Sequence, residues 1–450
     1  MKKIFFLLLT LVFIVLTSCQ KETRSYLNFY VWGDAMEISW YERIASDFKK
    51  ETGIEVKVVP ATGDYYDNLN ILLGSKKNAP DIFFTEQGEI LSQLAANRLL
   101  NLSPYIETKV LDVQTETNPN GKIKLWHIND VYKFDGNYYA FIKDWSPDFI
   151  LWYNKDHIDE YNRTHGYQKG DPEYMEYPSE TVPLTWDEFL DMSYKLTIKN
   201  NQTVRYGTML DRVPWKHLFE WIQMTGDTPF IDNKYFNANS EGVKQAFRFF
   251  ANLQVGPQSS APIVGPTGRG SGEMFANGDV SFVWFGSWAY SAFNFDNVSF
   301  NIGIAPPPVP SKNEPLTEVD RYGVTAGMIA LAINKDTPLK DEAVKFLNFY
   351  MIKGLEYMAT KGFNIPGNQL IAESDIYRNP EDAFLRYMNN FFLDFALNYT
   401  EPIRYNNYLS QKKIEDIIAK HVSTWFNNYN EGDLDKVLNN IANDINNEIE

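Results

Sequence analysis

The chain has 450 residues, of which 44% are hydrophobic, so its length and composition predict a globular protein of two or three domain-sized units. Its formal net charge is −16, and no basic block offsets the acidic residues, which argues against a protein that binds nucleic acid. A single cysteine rules out an internal disulfide.

The N-terminus has the pattern of a secretory signal. Two lysines precede an apolar run over residues 4–16, which is too short to remain as a membrane-spanning helix. The segment Leu16-Thr17-Ser18-Cys19 resembles the bacterial lipobox, in which the cysteine is diacylated and becomes the first residue of the mature protein. We therefore predict a signal peptide over residues 1–18, a lipid on Cys19 and a polar tether over residues 19–25. An ordinary signal peptide cut nearby is the alternative.

The first mature segment alternates strand and helix patterns. Three stretches have the alternating or continuous apolar character of strands: Leu27–Val31, Ile54–Val58 and Asp81–Phe84. Three others have apolar residues at helical spacing: Ile38–Phe48, which Gly53 is positioned to end, Tyr65–Lys77 and Glu89–Asn97. This alternation predicts an α/β lobe with a largely parallel sheet.

The rest of the chain carries the same two patterns less regularly. Strands are predicted at Tyr138–Phe141, Phe149–Tyr153 and Met328–Ile333. A capping box at Thr185–Glu188 opens a helix. Further helices are predicted at Val243–Phe250, Glu273–Asn277, Ala343–Tyr350, Ile414–Val422 and Leu434–Ile445. Residues 256–272 are rich in proline and glycine, which predicts an exposed loop.

A series of short segments occurs in one order along the chain: Phe29–Gly33, Ala79–Phe83, Asn101–Tyr105, Asp135–Ala140, Leu151–Asp156, Pro183–Glu188, Phe275–Val280, Phe285–Trp288, Ile302–Pro308 and Ala343–Leu347. Taken together, they resemble the extracellular solute-binding proteins of the maltose-binding and glycerol-phosphate-binding type. The resemblance spans much of the mature chain. A long polar insertion over residues 160–183 interrupts it, and the tail after Leu370 is only generically similar.

The resemblance implies an α/β fold of the type II periplasmic-binding class, in which two lobes joined by a hinge enclose a ligand cleft. The N-lobe would combine residues 26–140 with 306–366, and the C-lobe would combine residues 141–305 with 367–450. The chain would therefore cross near residues 141, 305 and 367. The implied function is that of a substrate-binding lipoprotein of an ABC importer. Such a protein is an extracytoplasmic, membrane-anchored monomer that captures a sugar or related polyol, without a cofactor, and passes it to permease subunits.

Candidate ligand-binding residues lie in loops where aromatic and polar residues occur together. Aromatic faces suit the C–H surfaces of a sugar, and carboxylates, amides and hydroxyls bond its hydroxyl groups. Trp32 and Asp34 follow the first strand, and Glu86 and Gln87 follow the third, at the edge where α/β sheets bind ligands. Gly327 would allow close approach of a ligand, and plain turn geometry is the other explanation.

The resemblance adds further candidates. Asp144, Trp145 and Ser146 lie just past the first implied crossing, beside the cleft of the family. Trp284 and Trp288 lie in the segment that lends an aromatic platform to the ligand, and Trp288 is the leading candidate. The alternative explanations are packing in a core for the tryptophans and solvation in a loop for the carboxylates.

Two other functions are consistent with the sequence. A secreted, acidic, aromatic-rich chain could be a glycoside hydrolase, but no catalytic pair stands out among the 58 acidic residues. The five histidines are scattered without metal-ligand spacing, so we predict no metal site and no enzyme activity. A sensory receptor of the same fold, which presents its closed form to a kinase, is the other alternative.

Overall fold

The computed structural model of this protein describes residues 24–75, 78–199, 203–210, 214–256, 270–310, 324–362 and 364–450. The predicted signal peptide and Cys19 lie outside this part of the chain, as do most of the tether and most of the loop predicted over residues 256–272.

The strands in chain order are β1 (Tyr26–Val31), β2 (Glu55–Pro60), β3 (Ile82–Glu86), β4 (Lys133–Phe134), β5 (Asn137–Tyr138), β6 (Ala140–Pro147), β7 (Ile150–Asn154), β8 (Ile198–Lys199), β9 (Thr203–Met209), β10 (Phe230–Ile231), β11 (Tyr235–Phe236), β12 (Val280–Phe285), β13 (Ile302–Ala305), β14 (Val324–Ile333), β15 (Ile365–Pro366) and β16 (Thr400–Glu401).

The α-helices in chain order are α1 (Ala35–Thr52), α2 (Tyr65–Gly74), α3 (Gln87–Ala95), α4 (Ser103–Glu107), α5 (Lys155–His165), α6 (Trp186–Leu196), α7 (Pro214–Met224), α8 (Glu241–Gln254), α9 (Ser271–Ala276), α10 (Ala289–Ala292), α11 (Lys340–Phe349), α12 (Leu355–Ala359), α13 (Gln369–Ala372), α14 (Asp375–Arg378), α15 (Ala383–Tyr399), α16 (Gln411–Asn427) and α17 (Leu434–Ile449). Short 3₁₀ turns lie at His127–Tyr132, Phe295–Asn297 and Glu431–Asp433, and a π-helical turn, Tyr350–Gly354, joins α11 to α12.

The first sheet has the strand order β15-β6-β14-β3-β1-β2, with β16 beside the start of β14. β1 pairs in parallel with β2 and β3, and its alternating pattern buries Leu27, Phe29 and Val31. β14 runs antiparallel to both β3 and β6. The sheet is therefore mixed and not largely parallel, because the strand that returns from the second lobe enters it in the opposite direction.

The second sheet has the strand order β13-β7-β12-β9-β8. β7 runs antiparallel to β12 and β13, whereas β12 runs parallel to β9. β7 and β12 are buried along their whole length. Strands covered on both faces show continuous apolar runs in place of alternation, which is what the sequence has there.

Each sheet has its own apolar core. In the first, the ring of Phe29 packs edge-on against Phe84, with centroids 5.3 Å apart. In the second, Trp284 packs edge-on against Phe189 at 4.9 Å and Trp221 at 5.9 Å. Burial of one such ring stabilises the fold by about 1.5–3 kcal/mol. The two cores confirm the predicted two-lobed α/β class.

The C-terminal third divides between the two cores. Helices α13 and α14 pack in the first core through Ile371 and Tyr377, although the prediction assigns residues 367–450 to the second lobe. Helix α15 spans both, since Leu393 lies in the first core and Phe392 in the second. The tail helices α16 and α17, predicted from their apolar stripes, pack against the second core.

The chain also passes between the lobes at positions that differ from the predicted ones. β6 continues through Pro147 and pairs with β14 and β15, so residues 141–147 belong to the first sheet. Val309 bonds to the backbone of residues 184 and 186, so it stays with the second lobe, after the crossing predicted near residue 305. In both cases the backbone partners of a segment decide its lobe, and these partners are distant in sequence.

Local signals set the ends of two helices as predicted. At the start of α6, the backbone N–H of Glu188 donates to Oγ1 of Thr185 at 3.1 Å, and the N–H of Thr185 donates to Oε2 of Glu188 at 2.8 Å. Helix α1 ends at Gly53, whose φ of 77° lies in the left-handed region that glycine adopts without strain.

The polar insertion over residues 160–183 folds against the second lobe. The side chain of Asn162 bonds the backbone of Met175 in both directions, at 2.9 and 2.8 Å. The hydroxyl of Tyr177 donates to Asp159 at 2.6 Å. Met175 is buried in the second core, so the insertion is a packed part of this lobe.

Candidate functional site

A cavity of about 620 Å³ lies between the two lobes. The first lobe lines it with residues at the ends of β1, β3 and β6 and in the middle of β14, and the second with residues of α7, β12 and the segment after β12. The lining residues are Trp32, Asp34, Glu37, Tyr65, Tyr66, Glu86, Ser146, Asp148, Phe149, Lys216, Trp284, Phe285, Trp288, Ala292, Phe293, Gly327, Met328, Ile329 and Asn364. Its size and its position between two lobes are those of a small-molecule site.

Trp32 lines the first-lobe wall. β1 and β3 are parallel neighbours, so Trp32 and Glu86 emerge at the same edge of the sheet. The indole meets the ring of Tyr65 edge-on, with centroids 4.4 Å apart, and that of Tyr66 at 5.9 Å. Packing against these rings therefore holds Trp32 in place at the cavity.

Asp34 also lines the cavity, and it caps helix α1. One of its carboxylate oxygens accepts from the backbone N–H of Met36 at 2.8 Å and of Glu37 at 2.9 Å, while its own N–H donates to Glu37 at 3.0 Å. This capping box is worth about 1 kcal/mol of stability. Glu37, which the sequence does not mark, lines the cavity too, and burial raises the pKa of its carboxyl.

Glu86 ends β3 and faces the second lobe across the cavity. The hydroxyl of Tyr66 donates to one carboxylate oxygen at 3.0 Å, and Nζ of Lys216 on α7 lies 3.9 Å from the other. Both ionic side chains are about one-quarter exposed, so this pair is worth at most about 1 kcal/mol. Gln87 does not line the cavity, because its amide is turned away and donates to the carbonyl of Ile403 at 2.9 Å.

Ser146 lines the cavity, whereas Trp145 does not. Successive side chains of a strand point to opposite faces, and Trp145 points into the first core, where its ring lies 5.4 Å from Trp126. Ser146 is buried, and its hydroxyl has no hydrogen-bond partner within the described chain. The structure therefore brings Ser146 to the wall and leaves Trp145 in the core.

Asp144 does not line the cavity either, but it is linked to the wall. Its carboxylate accepts from the ammonium of Lys143 and from Nδ2 of Asn364, the latter at 3.0 Å. Asn364 lines the cavity, and its Oδ1 accepts from the hydroxyl of Ser287 at 3.0 Å. Because Ser287 follows β12 of the second sheet, this chain of bonds joins the two lobes.

The two predicted tryptophans of the second lobe differ in their surroundings. Trp284 is fully buried in the core, its Nε1–H donates to Oγ1 of Thr208 at 3.0 Å, and only part of it reaches the cavity. Trp288 is half-buried, and its ring lies 5.2 Å from Phe285 and 5.7 Å from Phe293. Trp288 packs against the cores of both lobes, so it has the more suitable position for a ligand platform.

Two glycines leave room for polar side chains that line the cavity. A Cβ on Gly327 would collide with the carboxylate of Asp148, and one on Gly286 would collide with the hydroxyl of Ser146. Asp148 follows β6 and its N–H donates to the carbonyl of Thr325 at 2.9 Å. Gly327 is therefore needed to accommodate a carboxylate that itself lines the cavity.

Helix α7 carries two buried titratable groups beside β14. Glu220 accepts from the backbone N–H and the hydroxyl of Thr325, at 2.9 and 2.7 Å, and burial raises its pKa to about 8. His217 packs on Phe149, with ring centroids 3.9 Å apart, and burial lowers its pKa to about 3. Both groups are therefore mainly neutral near pH 7, and the helix packs beside β14 without burying a charge.

Several lining residues carry no clear signal in the sequence. Lys216 lies on α7, in which every residue from 217 to 224 is buried. A helix buried on all sides has no apolar stripe to mark it. Asp148 follows a strand whose end cannot be read from its apolar run. The glutamate within the apolar segment of α7 is the signal that could have marked this helix, since glutamate is almost never fully buried unless it is paired.

The described residues contain no group of three or more histidine, cysteine and acidic side chains arranged to hold a metal ion. In the same part of the chain, no helix combines the length and the apolar character needed to span a bilayer. That the protein uses no cofactor stays a prediction from the sequence.

Comparison with protein families identifies one that covers most of the mature chain. Residues 33–351 match the family described as bacterial extracellular solute-binding protein. This match confirms the resemblance seen in the ordered segments of the sequence. A comparison with curated protein sequences found no match.

Solved structures share the fold over nearly the whole chain. An ABC substrate-binding protein from Listeria monocytogenes in complex with cycloalternan is 19% identical with a TM-score of 0.74, over 94% of this chain and 98% of that one. The maltotriose-binding protein of Thermus thermophilus, bound with maltotriose, is 16% identical with a TM-score of 0.70, over 94% and 100%. UgpB from Mycobacterium tuberculosis in complex with glycerophosphocholine is 15% identical with a TM-score of 0.70, over 94% and 98%.

Proposed function

This chain belongs to the bacterial extracellular solute-binding protein family, and on that premise we propose that it captures a sugar or related polyol between its lobes and delivers it to the permease of an ABC importer. Membership of this family implies a location outside the cytoplasm. The observation that carries the proposal is the cavity of about 620 Å³, where aromatic rings and hydrogen-bonding groups from both lobes line one space. The cycloalternan, maltotriose and glycerophosphocholine ligands of the related structures support this ligand class.

In this proposal the cavity residues divide into platforms and polar contacts. Trp288 from the second lobe and Trp32 from the first offer flat apolar surfaces to the C–H faces of a sugar ring. The carboxylate of Glu86 and the hydroxyl of Ser146 bond its hydroxyl groups. Gly327 leaves room for the carboxylate of Asp148 in the wall of the cavity.

Three of the residues suggested by the sequence have a supporting role in this proposal. Asp144 orients Asn364, which lines the cavity, through a hydrogen bond of 3.0 Å. The side chain of Trp145 lies on the core face of β6 and supports the strand that carries Ser146. Gln87 ties α3 to the segment before α16 through the carbonyl of Ile403.

The anchor and the assembly state are part of the same proposal. We propose that the protein is cleaved after residue 18, lipidated on Cys19 and held by a tether to residue 25, as a monomer that docks on permease subunits. Two acyl chains give stable membrane attachment without burying any part of the fold. Metabolic labelling with a tagged fatty acid tests this, because the label should be absent from a Cys19→Ala variant. Label that persists on that variant contradicts the proposal.

The binding function is tested by screening a panel of mono- and oligosaccharides and polyols. A ligand that binds only the folded protein stabilises it by RT ln(1 + [L]/Kd), about 2.7 kcal/mol at a hundredfold excess over Kd. In a chain of this size the melting temperature should therefore rise by a few degrees. The stabilising sugar should remain unchanged when it is recovered by chromatography. Turnover of that sugar would favour the hydrolase alternative instead.

Closure on the ligand is tested with the same sugar. Hinge closure around a ligand brings the lobes together, so small-angle scattering should show a more compact particle at saturation than in the free protein. Tryptophan fluorescence should change as the cavity that contains Trp32 and Trp288 loses water. A protein that binds the sugar without compaction would retain the binding role and lose the hinge mechanism.

A further inference from the structure

The segment that follows β12 contacts the first lobe immediately before it presents Trp288 to the cavity. Gly286 and Ser287 precede this tryptophan, and Ser287 is fully buried. A Cβ on Gly286 would lie 2.3 Å from Oγ of Ser146 on β6, so this close approach leaves no room for a side chain. The hydroxyl of Ser287 donates to Oδ1 of Asn364 at 3.0 Å. Two consecutive residues of the second lobe therefore contact the first lobe.

The two first-lobe residues that receive this segment are neighbours in the sheet. β15 pairs antiparallel with β6, with Ile365 opposite Trp145. Continuing this register by one residue places Asn364 opposite Ser146. Both of these residues line the cavity, and both are buried. The second lobe therefore meets one small patch of the first lobe, at the wall of the cavity.

The buried ion pair of the first lobe determines which way the amide of Asn364 points. Asp144 accepts from the ammonium of Lys143, and a carboxylate in such a pair accepts hydrogen bonds without donating them. Nδ2 of Asn364 therefore faces Asp144, at 3.0 Å, and Oδ1 is left to accept from Ser287. The first lobe thus fixes the acceptor in advance, and a preorganised acceptor loses little freedom when the bond to the second lobe forms.

Ser287 is also held in a fixed relation to Trp288. The N–H of Tyr290 donates to the carbonyl of Ser287 at 3.2 Å, and the N–H of Ala292 donates to the carbonyl of Trp288 at 3.1 Å. These bonds place both residues in the turn that begins α10. A displacement of Ser287 would therefore displace the tryptophan that follows it.

The hydrogen bond between Ser287 and Asn364 exists only while the lobes are together. Its donor follows β12 of the second sheet, and its acceptor precedes β15 of the first sheet. Separation of the lobes therefore breaks the bond. A ligand enters the cavity before the lobes close on it and leaves after they open. The bond therefore opposes release of a ligand and does not affect its entry.

From the buried bond across the lobes, the amide fixed by Asp144 and the turn that leads to Trp288, we propose that Asn364 is a positioning residue for ligand capture. It receives Ser287 as the lobes close, and the bond sets the ring of Trp288 against the sugar. The pair determines how long a sugar is held. This inference rests on the proposed function and identifies the residues through which the same cavity retains its ligand.

The test measures rates of association and dissociation in the parent and in Ser287→Ala. The probes are maltotriose, maltose, tagatose and mannitol, and the one that binds the parent most tightly is used for stopped-flow tryptophan fluorescence. The dissociation rate constant should rise about fivefold, the effect of one net hydrogen bond. The association rate constant should stay within about twofold of the parent value. Small-angle scattering should show less compaction at saturation than in the parent.

A buried serine on the same strand provides the matched control. Ser281 lies on β12, is fully buried, and its hydroxyl lies 3.0 Å from Nδ1 of His157 within the second lobe. Ser281→Ala therefore removes an equally buried hydroxyl that does not reach the first lobe, and it should leave both rate constants unchanged. Melting curves without ligand show whether each variant is folded.

A second variant removes the same bond from the other lobe. Asn364→Ala should raise the dissociation rate constant at least as much as Ser287→Ala does. The double variant should release the probe no faster than Asn364→Ala alone, because both substitutions remove one shared bond. Should Asn364→Ala fail to fold, the comparison of Ser287→Ala with Ser281→Ala decides alone.

The outcomes separate this inference from the proposed function. If Ser287→Ala releases the probe at the parent rate, the inference is overturned and sugar capture stands. The inference is also overturned if Ser281→Ala releases the probe as fast as Ser287→Ala, or if the loss of affinity lies in association. If none of the four probes binds the parent, the proposed function fails and this inference falls with it.

Discussion

The two walls of the cavity differ in chemistry and in the way they are built. The first-lobe wall carries the carboxylates of Asp34 and Glu37 at the start of α1 and of Glu86 at the end of β3, and local hydrogen bonds hold all three in place. The second-lobe wall is mainly aromatic over residues 284–293, with Lys216 as its charged group. The first wall therefore supplies fixed polar contacts, and the second supplies apolar surface.

This difference indicates how the lobes share the work of binding. Carboxylates fixed by a capping box and by a tyrosine hydroxyl keep their geometry whether or not the lobes are closed. Trp288 packs against both cores, so its position depends on how the lobes meet. We expect substitutions in the first wall to change which ligand is chosen, and substitutions in the second to change how tightly any ligand is held.

The largest expected effect comes from Glu220, which joins the second lobe to β14 between the walls. Its folded pKa of about 8 lies above its usual 4.5, so the folded protein keeps a proton that the unfolded chain loses as pH rises. Unfolding should therefore become easier between about pH 4.5 and 8, by about 1.36 kcal/mol per unit and on the order of 4 kcal/mol in all. Glu220→Gln keeps an acceptor for Thr325 and should lose this part of the pH dependence.

Urea denaturation at pH 5 and pH 8 measures this contribution in the two proteins. Burial raises the pKa of Glu89 to about 7, so this residue also lowers the stability of both proteins over part of the same pH range. The difference in pH dependence between the two proteins therefore isolates the contribution of Glu220. The exposed Glu107→Gln variant controls for the lost charge. An identical pH dependence in the parent and in Glu220→Gln would show that the buried carboxyl is already ionised in the folded state.

The aromatic wall is tested by Trp288→Ala. Loss of a central aromatic anchor should cost about 2 kcal/mol of affinity, roughly thirtyfold, for whichever sugar the parent binds. Calorimetry measures the affinity, and a melting curve without ligand measures the stability. Tyr408→Ala removes a ring that is 61% exposed and does not line the cavity, so it should bind normally. Normal binding by Trp288→Ala would show that Trp288 is not part of the site. A melting temperature far below that of the parent would assign Trp288 to the core.

The polar wall is tested at Asp34, where capping and binding can be separated. Asp34→Ala removes the cap of α1 and should lower the free energy of unfolding by about 1 kcal/mol, whereas Asp34→Asn retains a capping oxygen and should cost only a few tenths. Chemical denaturation measures both. If the two variants are equally unstable, the cap does not stabilise α1. If Asp34→Asn is stable but binds the sugar more weakly than the parent does, its charge acts on the ligand.

The smallest expected effect concerns the ion pair between the walls. A double-mutant cycle with Glu86→Gln and Lys216→Met should give a coupling of about 0.5 kcal/mol in stability, which falls as salt rises. The pair of Asp191 and Lys195 on α6, at 2.7 Å within one helix, is the matched control. Ligand binding should change the first coupling and not the second. No coupling between Glu86 and Lys216 in either state would show that the walls do not interact through these charges.

The first wall was the more predictable of the two. Trp32, Asp34 and Glu86 follow recognisable strands, and neighbouring parallel strands end at one edge of a sheet. Trp145 shows where such reasoning fails. A step of one residue along a strand moves a side chain to the other face, and the pairing of β6 could not be known before its partners β14 and β15 were.

The second wall depended on contacts that leave little trace in sequence. Helix α7 is buried on all sides over residues 217–224, so it lacks the apolar stripe that identified other helices. Lys216 therefore had no predicted element to carry it. Phe293 follows Trp288 on a segment with no regular pattern, and its position depends on packing against Phe285 and Trp288.

By itself the sequence determined the family, the two-lobed α/β class and the ends of several elements. Periodicity and capping depend on residues within a few positions of one another, so they can be read along the chain. Tertiary structure alone decided where the chain crosses between lobes and which side chains meet in the cavity. Ser287 and Asn364 lie 77 positions apart, and their hydrogen bond exists only because the two separately folded cores pack together.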